Sequence, residues 1–145
     1  KKVIDVNVTG TFLMSQAAGR EMIKQNSGKI INISSVAGLG GTDPRLMDTI
    51  GYNTSKGAVL TFTKDLAVKW GPHNINVNAI APGFFPTKMS KVLIERGKDP
   101  LLDGTPLRRF GSDNDLKGVA LFLASKASDF VTGDVIVVDG GTHAR

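Results

Sequence analysis

Helical and extended hydrophobic patterns alternate along this chain, and that alternation constrains its fold more than any other feature. Residues 3–24 set Val8, Phe12, Ala17 and Ile23 among polar neighbours, a helical spacing. Asn26-Ser27-Gly28 breaks it. Residues 30–33 read as a short buried strand, followed by a glycine-rich loop from Gly38 to Gly51. From Tyr52 to Trp70 the side chains of Val59, Phe62, Leu66 and Trp70 recur at steps of three and four. That is one helix face, ended by Gly71-Pro72. Residues 75–80 form a second strand, stopped by Pro82-Gly83. The stretch from Phe84 to Gly111 has the least pattern and carries a short helix near 90–97. Ser112, with Asp115 three residues on, has the form of a capping box and opens a helix through Leu116, Val119, Phe122 and Leu123. Residues 134–138 are a β-branched strand closed by Asp139-Gly140-Gly141.

Helix, strand, helix, strand, helix, strand predicts an α/β chain with a doubly wound parallel sheet of about three strands. No repeat, low-complexity run or linker divides the 145 residues, so one domain with one core is expected. The first strand would keep one free edge, lined by Ile30, Ile31 and Ile33. Parallel sheets are normally buried on both faces, and an apolar edge invites aggregation. The chain therefore reads as the second half of a larger sheet.

Composition excludes several chemistries. With no cysteine, there is no disulfide, no cysteine-based zinc site and no thiol nucleophile. His73 and His143 are the only histidines, so no histidine-rich metal site is expected. Apolar runs fall far short of the ~20 residues that span a bilayer. No secretory signal opens the chain, and a cytoplasmic location is expected. The net charge of +5 is scattered, and aromatics, 6% of the chain, do not interleave with a basic stripe. A solvated basic surface is expected, not a nucleic-acid site.

The candidate chemistry gathers on one edge of the sheet. Tyr52, the only tyrosine, precedes Lys56 by four residues, which places both on one helix face. A phenol with its pKa of about 10 is a poor base at neutral pH. A fixed ammonium beside it favours phenolate, typically by roughly 1–3 units, which suits proton exchange with an alcohol oxygen. Ser34-Ser35 follows the first strand directly, at the end where open α/β sheets bind ligands. The helix bearing Tyr52 starts after the next loop and returns to that end, and Pro82-Gly83 closes the second strand there.

The segments VNVTGTFL, GKIINISSVAG, YNTSKGAV, INVNAIAPG followed by FFPTKM, and VTGDVIVVDGG occur in that order. With them the chain resembles the carboxyl-terminal part of the short-chain dehydrogenase/reductase family. Within it, the details are most similar to bacterial gluconate 5-dehydrogenases and 3-oxoacyl-carrier-protein reductases. The resemblance implies a catalytic tetrad. Tyr52 would be the general acid/base, and Lys56 would tune it and bind the nicotinamide ribose. Ser35 would polarise the substrate oxygen, and Asn7 would anchor a water of the proton relay. Pro82, Gly83, Phe85 and Thr87 would contact the nicotinamide end of NAD or NADP, joined there by Tyr52 and Lys56. The substrate lid would lie in residues 88–110, and a homotetramer or dimer is implied.

Bland roles are expected elsewhere. Ser34 shapes its loop, and Asn32, Asn76 and Asn78 satisfy backbone groups. Phe84 and Phe85 give hydrophobic cover, and Phe85 could serve through its backbone. His73 and His143 lie at the surface. Arg108 and Arg109 form a solvated pair, with an acidic substrate as their alternative partner. Two departures from the family stand out: a longer loop between Ser35 and Tyr52, and no glycine-rich TGxxxGxG turn. GLGG at 38–41 follows the serine and does not open a helix under a pyrophosphate. Residues 1–145 are thus expected to be the carboxyl-terminal portion of a single Rossmann-type oxidoreductase domain. The expected function is hydride transfer between nicotinamide and a secondary alcohol or ketone. The alternative is a truncated, non-catalytic assembly module pairing through helices 1–24 and 52–70.

Overall fold

The computed structural model describes residues 1–45, 47–88 and 90–144. Strands β1 (Gly28–Ile33), β2 (Ile75–Pro82) and β3 (Val135–Val138) form one parallel sheet in the order β1-β2-β3. Gly28 pairs with Ile75 and Ile33 with Ile80, while Ala79 pairs with Val135 and Pro82 with Val138. The helices are α1 (Lys2–Ile4), α2 (Gly10–Gln25), α3 (Ile50–Trp70), α4 (Lys91–Asp103) and α5 (Asp113–Ala124). This is the expected doubly wound arrangement.

Alternation along β2 sorts the two faces. Ile75 and Val77 pack with Ile30 against Leu66 and Ala67 of α3, with Met22, Phe62 and Trp70 around them. The helices meet closely there: a Cβ on Gly19 of α2 would stand 2.1 Å from the Trp70 ring. On the other face, the Asn76 amide donates to the carbonyls of Asp129 and Val131, each at 3.0 Å. Asn78 donates to the Val131 carbonyl at 2.9 Å and accepts from the Asp134 amide at 3.0 Å. These two asparagines thus satisfy backbone groups as expected. Asn32 differs, since its amide donates to the Thr63 hydroxyl at 2.9 Å.

Two matched turns feed the sheet. Asn26 (φ 51°) and Asn74 (φ 56°) adopt the left-handed conformation that asparagine tolerates, each just before a strand. The Asn74 amide also donates to the Asn26 carbonyl, which helps set the register at Gly28 and Ile75.

Besides shifts at the starts of β1, Gly28 in place of residue 30, and β3, Val135 in place of residue 134, the elements differ from the sequence reading in four places. Between α1 and α2 the backbone widens into a π-helical turn, Asp5–Thr9, that no hydrophobic spacing reveals. The glycine-rich loop is shorter than expected, because Val36–Gly38 forms a 3₁₀ turn and α3 begins at Ile50. Strand β2 runs past residue 80 to Pro82, since Val138 extends its pairing. Helix α4 continues beyond residue 97 through Pro100 to Asp103, and its Leu101 is buried. Leu46 of the long loop and Met89 of the expected lid lie outside the described residues.

Candidate active site

The carboxyl ends of β1 and β2 lie side by side, and the expected site residues collect around the first. The Ser34 amide donates to the Ile80 carbonyl at 2.8 Å, extending the strand pairing by one residue. The Ser34 hydroxyl donates to the Lys56 carbonyl at 2.8 Å, tying the strand end to the second turn of α3. It is Ser35 that caps the next turn, its Oγ accepting from the Ala37 amide at 3.2 Å.

Lys56 Nζ points back to the sheet and donates to the Ile33 carbonyl at 2.9 Å. It also lies 5.7 Å from the centre of the Tyr52 ring, within cation–π range. Burial pushes the Lys56 ammonium below its ordinary pKa, because the charged form loses water. Tyr52 is half-buried, and among the described residues its hydroxyl makes no hydrogen bond. A free phenol beside a desolvated ammonium can exchange a proton with a ligand oxygen.

Asn7 sits in the π-helical turn, the kind of local widening often found at functional sites. Its Nδ2 donates to the Ser55 hydroxyl at 3.0 Å, and its carbonyl accepts from the Thr11 hydroxyl at 2.7 Å. Ser55, fully buried, donates in turn to the Tyr52 carbonyl at 2.7 Å. Asn7 is thereby linked to the Tyr52 backbone through a residue that the sequence reading passed over. Its only signal was a small polar side chain on the buried face of a helix.

The loop after β2 is held independently. The Gly83 amide donates to the Val138 carbonyl at 2.9 Å, and a Cβ on Gly83 would stand 2.7 Å from that of Asp139. The Phe85 ring covers Gly111, whose added Cβ would meet it at 2.3 Å, so hydrophobic cover is one of its uses. Ser90 organises the rest, donating to the Phe85 carbonyl and accepting from the Thr87 amide at 2.8 Å. Ser90 was also missed, since it stands in the stretch with least pattern.

A cavity of about 550 Å³ lies beyond this loop, lined by Phe84, Phe85, Leu107, Arg109, Asp139 and His143. None of Asn7, Ser35, Tyr52 or Lys56 lines it. Arg109 forks onto Asp115 at 2.7 and 2.8 Å, and Arg108 pairs with Asp103. Both arginines are therefore paired within the chain. His143 is exposed, but its Nδ1 lies 2.8 Å from Asp139 Oδ2, which makes it more than a free surface residue. Among the described residues no cluster of three His, Asp or Glu could hold a metal, and no helix is long and apolar enough to cross a membrane.

Comparison with known proteins fits this geometry. A family profile described as enoyl-(acyl carrier protein) reductase matches residues 1–143. The chain is 45% identical over 141 residues to a 3-oxoacyl-[acyl-carrier-protein] reductase of Aquifex aeolicus, covering 97% of this chain and 55% of that protein. It belongs to the short-chain dehydrogenase/reductase family. Another member, the 5-keto-D-gluconate 5-reductase of Escherichia coli K12, is 46% identical over 141 residues, 96% of this chain and 54% of that protein. Among solved structures of the family, a gluconate 5-dehydrogenase from Burkholderia cenocepacia, in complex with NADP and tartrate, superposes with a TM-score of 0.92 at 39% identity. That match covers 97% of this chain and 54% of the other. The chain spans about half the length of the curated relatives it matches.

Proposed function

We propose that residues 1–145 form the carboxyl-terminal, catalytic portion of an NAD- or NADP-dependent oxidoreductase acting on a secondary alcohol or its ketone. The observation that carries this reading is Lys56 Nζ, fixed to the end of β1, within cation–π range of the Tyr52 ring, whose hydroxyl makes no hydrogen bond among the described residues. The described residues fit the nicotinamide end of such a cofactor. Lys56 Nζ uses one of its donors on Ile33 and keeps two for ribose oxygens. Pro82, Gly83, Phe85 and Thr87 supply the loop at the neighbouring strand end. The bound nicotinamide would supply or accept the hydride.

The chain's own residues manage the proton. In the reducing direction Tyr52 gives its hydroxyl proton to the carbonyl oxygen as that oxygen gains charge, and in oxidation it takes the proton back. Lys56 Nζ, 5.7 Å from the centre of the Tyr52 ring, holds a positive charge beside this proton transfer. Ser35 donates a hydrogen bond to the same substrate oxygen while its Oγ still accepts from Ala37. Asn7, its Nδ2 committed to Ser55, offers Oδ1 to a water that returns the proton from solvent. Relatives that act on 5-keto-D-gluconate and on 3-oxoacyl groups support small ketones as the substrate class. The cytoplasm is the compartment proposed with this reading.

Tyr52→Phe, made in the protein as produced from its natural coding sequence, tests it. Turnover should fall by at least ~100-fold, the scale of a general acid/base contribution. Calorimetric titration with NADPH and NADH should show the affinity for the coenzyme within twofold of the parent. A variant that keeps most of its turnover overturns the assignment. Binding of neither coenzyme by the parent favours the assembly-module reading, which the exposed Leu13, Met14 and Val68 on α2 and α3 support.

A further inference from the structure

Three consecutive residues at the end of β1 converge on one peptide of α3. Ile33 gives its carbonyl to Lys56 Nζ at 2.9 Å. Ser34 donates its hydroxyl to the Lys56 carbonyl at 2.8 Å. Ser35 caps the Val36–Gly38 turn, and that turn brings Gly38 against the same peptide. A Cβ on Gly38 would stand 2.6 Å from the Lys56 carbonyl carbon, 2.7 Å from the Gly57 nitrogen and 2.8 Å from the Lys56 carbonyl oxygen. The Lys56–Gly57 peptide is thus held by a hydroxyl and by a backbone that only glycine brings this close.

The sequence alone suggests that Ser34 shapes its own loop, yet its hydroxyl spans 22 positions to reach α3. Helix formation does not call for this bond. Lys56 lies inside α3, where each carbonyl is met by the amide four residues on, so Ser34 uses the oxygen's second lone pair. The sheet does not call for it either, since Ser34 joins β2 through its amide, which donates to the Ile80 carbonyl at 2.8 Å. Ser34 is 3% exposed, and the single donor of its hydroxyl is spent on Lys56. That bond carries the position of the sheet onto the lysine. Both ends of Lys56, its backbone and its Nζ, are therefore tied to neighbouring residues of one strand end.

We infer that Ser34 is a positioning residue for Lys56. Its hydroxyl ties the lysine's backbone to the strand end on which Nζ is anchored, and so fixes where the ammonium stands to meet the ribose of a nicotinamide coenzyme. The inference rests on the proposed role of Lys56. Without the hydroxyl the lysine loses its fixed origin, Nζ spends more time in solvent, and its bonds to a bound ribose weaken.

The test uses Ser34→Ala and Gly38→Ala in the protein as produced from its natural coding sequence. The first removes the tie, and the second adds a methyl that must displace the same peptide. Reductive methylation with formaldehyde and cyanoborohydride, read at each lysine by peptide mass spectrometry, needs no coenzyme. Lys56 should label at least threefold faster in both variants. Lys29, 19% exposed at the other end of β1, should label as in the parent. Calorimetric titration with whichever of NADPH and NADH the parent binds should show an affinity at least fivefold weaker in both variants. In a Lys56→Met background, adding Ser34→Ala should change that affinity less than twofold, because the two substitutions remove one interaction. Unchanged labelling of Lys56 overturns the positioning, and faster labelling with unchanged affinity overturns its effect on the coenzyme. Equal acceleration at Lys29, an equal loss in the Lys56→Met background, or a Ser34→Ala protein without a cooperative melt also overturns it, since the hydroxyl then supports the fold at large. If the parent binds neither coenzyme, the proposed function fails and this inference fails with it. If parent and Ser34→Ala bind equally well, the inference alone fails.

Discussion

Lys56, in its proposed place at the site, comes at a cost to the fold. Burial disfavours its charge, so the folded protein holds this proton less tightly than the unfolded chain does. Between the lowered folded pKa and the ordinary value of 10.5, the unfolded state binds more protons, and stability rises with pH in that window. Below the window the desolvation cost is present in full. The expected outcome is that the parent gains on Lys56→Met as pH is raised toward 10.5, read from urea unfolding at pH 8 and pH 10. The same scale shows what could be read from the chain. The four-residue step from Tyr52 to Lys56 sufficed to put both on one helix face. Nothing local marked the Ile33 carbonyl as the lysine's anchor, because the two are 23 residues apart and meet only once the strand and helix have packed. Ser55 was hidden for the same reason, its partner Asn7 lying 48 positions earlier.

Among the elements, those with a regular hydrophobic period or a terminal signal were legible. The capping box at the start of α5 is the clearest. Asp115 accepts from both the amide and the hydroxyl of Ser112, each at 2.7 Å, and from Arg109. Arg109 first, then Ser112, hold the Asp115 carboxyl well below the usual carboxylate range. A depressed carboxylate stabilises the fold above its unfolded value of 3.8, and that contribution fades as pH falls below it toward the folded value. The stability gap between the parent and Asp115→Asn should therefore shrink on acidification below pH 3.8, followed by circular dichroism melts. Ser112→Ala should cost about 1 kcal/mol at neutral pH. The π-helical turn and the far end of α4 were not legible. The first is set by how α1 and α2 pack against α3, and the second by burial of Leu101 past a proline that reads as a stop.

For the whole molecule, the doubly wound class and a free edge on the first strand followed from the order of elements, while the strand order came only with the structure. Among the described residues no strand pairs with the outer edge of β1, and Ile33 there is 55% exposed. Helix α2 presents Leu13 and Met14, the latter 72% exposed, and α3 presents Val68. Apolar surface of this kind on two neighbouring helices suits a second copy of the chain. Met14→Glu should lower the sedimentation coefficient of the native protein by at least one assembly step, and an unchanged value would remove α2 from the contact.

Lys29 adds a consequence in time. In the finished molecule its side chain is only 19% exposed and is covered by Asp129, with the Ser128 hydroxyl at 3.1 Å, 99 positions along the chain. Ribosomes add roughly 5–20 residues per second, so these partners are synthesised on the order of 5–20 seconds after Lys29 itself. Throughout that interval the Lys29 side chain of the nascent β1 stands without the turn that covers it in the finished molecule.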